Sequence, residues 1–347
     1  MANGNGINSV ESSWLAHLTD DQIREGIEKD RSRFMQSSQA FPGTDVKGCA
    51  SVEEALVKAD ANFEVIKRPI MAVISEDDAV EVPGAFAMLR EDTMTPLSKR
   101  CVTGTYEIVQ TREAFAAADV LISQGDFEPA SVLVDGARIR MSGFIGADAV
   151  QRLDSDAPDV ICHFATFSTA HDGSGGVEAS LSSLRLACFN GMTSREMIAG
   201  IKVRHTRNAG ERIAEAASTI FELREQAKAE TATFQKLAEK KMTPKGFEAF
   251  ANELLDGIKG LLDEESSERK RAKREREINE LVDLFSNGQG NSGSSRWDGY
   301  NSVTEWLDHK LERGGISDEQ RRLKAFTSND SGYGNKLKAR ALNLLTR

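Results

Sequence analysis

The sequence predicts an α+β protein: an antiparallel sheet of hairpins with a covering helix, followed by a long helical region and a short helical carboxyl-terminal segment. Three observations carry that expectation. Two Asp-Gly pairs, Asp135-Gly136 and Asp172-Gly173, stand between runs of β-branched and aromatic residues, a hairpin pattern because glycine tolerates the positive φ of a tight turn. Beyond Arg207 the apolar period changes to three or four, with Ile213, Ala217, Ile220, Leu223 and Ala227 on one stripe. Hydrophobic residues at 39% and charged residues at 28% are a globular mixture with enough apolar surface for a core.

Residues 1–65 read as a polar helical amino-terminal segment, with Leu18, Ile23 and Ile27 at helical spacing. An antiparallel α+β core is expected over 66–206. Its strands are IMAVIS from Ile70, GAFAML from Gly84 and CVTGTYEIV from Cys101, followed by a helix capped by Thr111 and stopped by Gly125. Two hairpins follow: ASVLVDGARIRMSGFIG, then VICHFATFS and VEASLSSLRLACF around AHDGSGG. A helical region spans 207–287, where Thr243-Pro244 starts a helix and Phe247, Phe250, Leu254, Ile258 and Leu261 form its stripe. The rest, 288–347, is linker and carboxyl-terminal helix. Within it, SNGQGNSGSSR (286–296) reads as a mobile connector, and Trp297, Tyr300, Val303 and Leu307 share one face, as do Leu337, Ala341 and Leu344.

No run approaches the roughly 20 apolar residues of a membrane span. The amino end lacks a basic start followed by an apolar block, so a cytoplasmic protein is expected. Four dispersed cysteines, Cys49, Cys101, Cys162 and Cys188, then read as buried thiols. A net charge of −10 opposes adhesion to nucleic acid by the whole surface, so any such site is a local basic patch. Arg138 and Arg140 lie on one face of a strand, and Lys202, Arg204, His205 and Arg207 cluster downstream; Arg138, Arg140, Lys202, Arg204 and Arg207 are the candidate nucleic-acid contacts. The run ERKRAKRERE (268–277) reads as a solvated helix compensated by its own glutamates. Trp297, Tyr300 and Trp306 could stack on bases, but such rings on a short amphipathic helix more often form core or interface.

Catalytic readings are weaker. His171, Asp172 and Ser174 are too close in sequence to converge as a triad, and His163, His171, His205, Cys162 and Cys188 lack the spacing of a shared metal site. The HDGSGG turn lies between strands and is no nucleotide-binding loop. No catalytic residue, metal or cofactor is expected.

The stretches STAHDGSGGVEASLSSLRLACFNGM and IKVRHTRN carry a resemblance. With His171, Asp172, Gly173 and Ser174, then Cys188 and Asn190, then Arg204, His205 and Thr206, they resemble the phage/plasmid-like family catalogued as domain of unknown function 932. TYEIVQ before Glu113-Ala114-Phe115, WDGYNSVTEWLDH and GYGNKLKARALNLL resemble its other segments, while Gly175-Gly176 after Ser174 and Phe189 depart from its pattern. The resemblance implies mobile-element biology and brings no reaction with it.

The function expected first is a single-stranded DNA-binding or strand-annealing protein of replication or recombination, forming homo-oligomers and meeting host or phage replication proteins. The alternative is a non-enzymatic interaction protein that inhibits a host defence factor, for which an acidic surface suffices. A hydrolase or nuclease of unrecognised type ranks third.

Overall fold

The computed structural model describes residues 42–154, 158–185, 190–191, 202–203, 220–259, 267–310 and 333–347. Seven of their strands form one antiparallel sheet: β1 (Thr44–Asp45), β4 (Glu128–Asp135), β5 (Arg138–Val150), β6 (Asp159–Ala170), β7 (Val177–Arg185) and β8 (Asn190–Gly191) in that order, with β9 (Lys202–Val203) also on β7. A separate hairpin pairs β2 (Val65–Ser75) with β3 (Asp78–Arg90). The helices are α1 (Val52–Lys58), α2 (Thr111–Ala114), α3 (Ala116–Gln124), α4 (Ile220–Ala238), α5 (Pro244–Lys259), α6 (Glu268–Asn287), α7 (Arg296–Glu305) with a π turn at Trp306–Lys310, and α8 (Tyr333–Thr346). The expected α+β class is the observed one.

Both predicted hairpins form. The first turns on Gly136 and Ala137, with Asp135 facing Arg138 as the closing pair, so the positive φ of +57° falls on the glycine that tolerates it. The second turns over residues 171–176. Gly43 lets β1 approach β4, because a Cβ there would lie 2.4 Å from the Val132 carbonyl oxygen.

Alternation gives the sheet two unlike faces. One carries Ile139, Met141, Ala165, Phe167, Ala179 and Leu181, packed with Phe115, Ala118 and Leu121 of α2–α3 and Ala227 of α4. Toward the far end of β5 and β6, Val150 and Ile161 join a second cluster with Phe234 of α4, Phe247 and Leu254 of α5, Phe285 of α6, Trp297 and Tyr300 of α7, and Leu337 and Ala341 of α8. The Phe247 and Phe285 rings stack at 4.5 Å, so α5 and α6 are locked face to face.

Several expectations are corrected. CVTGTYEIV is not a strand: only Val102 bridges, to Phe86, and a turn follows at Gly104 and Thr105. Gln110, not Thr111, caps α2, because Gln110 is held by Val65 on both backbone atoms while the Thr111 hydroxyl is drawn to buried His171. The expected helical stretch over 1–65 holds β1 as well as α1 where it is described; Leu18, Ile23 and Ile27, like Ile213 and Ala217, lie outside the described residues.

Residues 286–296 are fastened rather than loose. Arg185, wholly buried at the end of β7, donates to the carbonyls of Gln289 (3.2 Å) and Gly290 (2.8 Å), to Asn291 Oδ1 (3.1 Å) and to Asp159 Oδ2 (2.6 Å). Arg152 also donates to Gly290 O. Met242 and Arg296 exchange backbone hydrogen bonds with Ser294 and Lys240, and Asp298 accepts from Ser294 N and Ser295 N. Glycine and serine are used here because the chain must bring its carbonyls against a guanidinium, and composition alone cannot distinguish that from a flexible link.

Two outcomes follow. Limited proteolysis of the native protein should spare 286–296. Arg185→Ala should cost about 3–5 kcal/mol in urea denaturation, because it strands the buried Asp159 carboxylate, and should open 286–296 to the protease; cleavage there in the unaltered protein would refute the assignment.

Candidate nucleic-acid interface

The sheet face opposite the helices is polar toward the hairpin turns and carries the Phe144 and Phe164 rings farther along. Along β5 it carries Arg138, Arg140 and Ser142; β6 adds Thr166 and Ser168, and β7 adds Glu178 and Ser180. Register places Leu133, Arg140, Ser168, Glu178 and Lys202 in one row across five strands. The sequence-predicted Arg138, Arg140 and Lys202 therefore come to the same end of the sheet, although a carboxylate stands between the last two. Of Lys202 only the backbone is described, and Arg204 and Arg207 lie outside the described residues, as do Cys188 and His205.

The two arginines differ. Arg138 is half-buried, and its Nη2 reaches Ser174 Oγ at 3.4 Å. Arg140 is only 6% exposed and lies 3.9 Å from Asp135. Burial, with the neighbouring Arg138 charge, brings its guanidinium down to about 10 against the pull of Asp135 and Glu178. Arg140 is thus not the open surface cation that strand alternation suggested, because the whole centre of this face is sequestered. Ser142 and Thr166 share a buried hydrogen bond of 2.8 Å.

The family-motif turn borders this end. His171 is wholly buried; its Nε2 lies 3.0 Å from the Thr111 hydroxyl, and its backbone N–H donates to Ala137 O at 2.9 Å. Tyr106 donates to Ala170 O at 3.2 Å. Asp172 accepts from Ser174 N at 3.0 Å, and Arg100 stands 4.0 Å away. Burial raises the Asp172 carboxyl, but the Ser174 and Ser98 hydrogen bonds and the Arg100 charge outweigh it and leave it below its usual value. Gly173 takes the positive φ of +72°. His171 and Asp172 thus point into separate contacts, one to the helix start and one to the turn. Asn190 pairs through its backbone with Arg185.

Trp297, Tyr300 and Trp306 form core, the outcome expected more often for such rings, and all three are wholly buried, so none offers a face on which bases stack. Phe234 packs on Trp297 at 5.0 Å, and the indole of Trp297 donates to Asp159 Oδ2 at 2.7 Å.

One constellation went unread in the sequence. Beneath α4, His163 Nδ1 lies 2.7 Å from Ser183 Oγ and its Nε2 lies 3.2 Å from Asp148 Oδ2, while Ser183 donates to Glu230 Oε2 at 2.6 Å. Thr231 Oγ1 is 3.3 Å from Asp148 Oδ2 and donates to Ala227 O at 3.1 Å. The groups are those of a serine hydrolase, but the hydroxyl hydrogen is committed to Glu230, so His163 is not placed to remove it, and Ser183 and His163 are both buried. The arrangement is a polar clasp of α4 on the sheet. Its signal was available: a hairpin centred on Gly173 puts His163 opposite Ser183. Asp148 was not readable, because a register shift between Phe144 and Gly146 moves it onto the His163 face. Among the described residues no three His, Cys, Asp or Glu side chains are placed to hold a metal ion.

Burial raises the Asp148 carboxyl, but the hydrogen bond and charge of His163, with Thr231 and Lys228, outweigh it and hold the carboxyl below its usual value. A depressed folded value means stability that is complete above the unfolded value of about 3.9 and lost as pH falls through the folded one. Asp148→Asn should lower stability at pH 7 by roughly 1–3 kcal/mol. Its deficit should shrink as urea titrations move below about pH 4; a deficit independent of pH would refute the clasp.

No curated protein and no solved structure matches the chain. A family model, the domain of unknown function DUF932, matches residues 100–330, which takes in the arginine row, the His171–Ser174 turn, the His163 clasp and the Arg185 node; the β2–β3 hairpin precedes it. Among the described residues no helix is long and apolar enough to cross a membrane. With more than half of its length matched, the chain belongs to the DUF932 family.

Proposed function

We propose that the protein is a mobile-element protein of the host-cell cytoplasm that binds single-stranded DNA through the margin of its polar sheet face, in replication or recombination. The observation that supports this most is the Arg138 and Arg140 pair, two like charges close enough for one to weigh on the other, which an approaching phosphate would relieve. Arg138 is the contact residue. Arg140, behind it, adds field, and Ser168 and Ser174 at the same margin are hydroxyl donors suited to phosphate oxygens. The buried tryptophans supply no stacking platform, so affinity rests on charge and is salt-dependent.

A second reading, an interaction protein that inhibits a host defence factor, draws on the net charge of −10, which suits mimicry of a nucleic acid. The two separate in one experiment. For a single-stranded oligonucleotide, the slope of log affinity against log salt should fall by about 0.7 when Arg138 becomes Ala, the loss of one phosphate contact. His171→Ala, behind the turn, should act on stability more than on that slope. An unchanged slope in Arg138→Ala, or no binding by the native protein at low salt, would overturn the DNA reading and favour the inhibitor.

A further inference from the structure

The β2–β3 hairpin changes character half way along. Its proximal half is braced, with Val65 and Met88 buried and Phe86 and Leu89 bridged to Val102 and Pro96. The register shifts between Pro69 and Met71, and beyond that point the ribbon of Met71–Ser75 and Asp78–Glu81 is exposed on both faces. Val73 is 76% exposed and Ile74 66%, with Val80 and Met71 also exposed. A bare two-stranded ribbon is marginal in water, and open edges with exposed β-branched residues invite a partner.

Charge selects the partner. The tip carries Glu76, Asp77, Asp78 and Glu81, and no cation stands between Arg68 and Arg90. Two tips therefore repel each other. The complementary surface on the described chain is the first half of α6, where Arg269, Lys270, Arg271, Lys273 and Arg276 are exposed against Glu268 and Glu275. Arg274 and Glu277 of the same run turn inward, each only 6% exposed, with Arg274 on Asp256, so the exposed part of the run carries five cations and two carboxylates. Asp263, Glu264 and Glu265, which precede the helix in sequence, lie outside the described residues. Cations in a first helical turn oppose the helix dipole, so their placement does not serve the helix itself. Their aliphatic stems, with exposed Ala272, offer the apolar surface along which Val73 and Ile74 can lie while the charged heads meet the acidic tip.

We propose that the acidic β2–β3 arm of one copy docks on the basic first half of α6 in a second copy. The contact is heterologous, so each copy keeps one arm and one helix to offer, and assembly runs head to tail into a ring or filament.

Sedimentation velocity of the full chain without nucleic acid tests this independently of the DNA reading. The native protein should sediment above a monomer at about 50 mM salt and dissociate at about 500 mM. Asp77→Lys with Asp78→Lys should weaken assembly roughly tenfold or more, as should Lys270→Glu with Lys273→Glu. An equimolar mixture of the two variants should pair, because the unaltered acidic arm of the helix variant then meets the unaltered basic helix of the arm variant. Asp77→Asn with Asp78→Asn, which keeps the side-chain shapes of the turn, should lose assembly in the same direction, with far-UV circular dichroism reporting that every variant is folded. A monomeric native protein at low salt, assembly that survives both reversals, or a mixture that stays monomeric would each overturn the proposal.

Discussion

The buried guanidinium of Arg185 is the constraint on which the arrangement of sheet and helices depends. Taking a cation out of water costs several kcal/mol, and that cost is offset only if its acceptors are fixed in place. Asp159, one strand away, supplies the countercharge and is shared with the Trp297 indole, while the 289–291 segment supplies carbonyl and amide oxygens. One ion pair therefore joins β6, β7, the loop after α6 and the start of α7. The aromatic cluster of Phe234, Trp297 and Tyr300 closes around it and keeps water out. Burial of apolar surface would hold helices near the sheet in many orientations; the directional bonds to Arg185 select one.

The opposite end of the sheet is built differently. There the hairpin turns, the His171 contact with Thr111 and the Arg138 and Arg140 pair meet, with α2 and α3 on one face and hydroxyl and charged side chains on the other. β5 serves both ends, and a single irregularity before Gly146 allows it. Without that shift Asp148 would share the face of Arg140, and the His163 clasp on α4 would lack its carboxylate. The stable part and the candidate interface are thus two consequences of one strand with a bulge in it.

Much of this was legible in order along the chain. The Asp-Gly turns announced the hairpins, Thr243-Pro244 announced α5 through a hydroxyl cap on Gly246 N, and of the named stripes Phe247, Phe250 and Leu254 of α5 and Leu337 and Ala341 of α8 are buried, while Leu344 is half-buried. The readings that failed are those where local composition has two physical outcomes. A glycine- and serine-rich stretch is either solvated or drawn tight around a cation. Threonine before a helix is either its cap or, as at Thr111, the partner of a histidine sixty residues away.

The sequence by itself determined the class of fold, the hairpin partners and the faces of the helices, because these follow from periods of two and 3.6 and from turn chemistry within a few residues. Only the tertiary structure decided which polar residues meet. Arg185 with 289–291, His163 with Asp148 and Glu230, and the burial of Arg140 beside a half-open Arg138 all depend on register shifts and on segments distant in the chain. The energy of a buried charge lies in such non-local partners, so no local pattern records it.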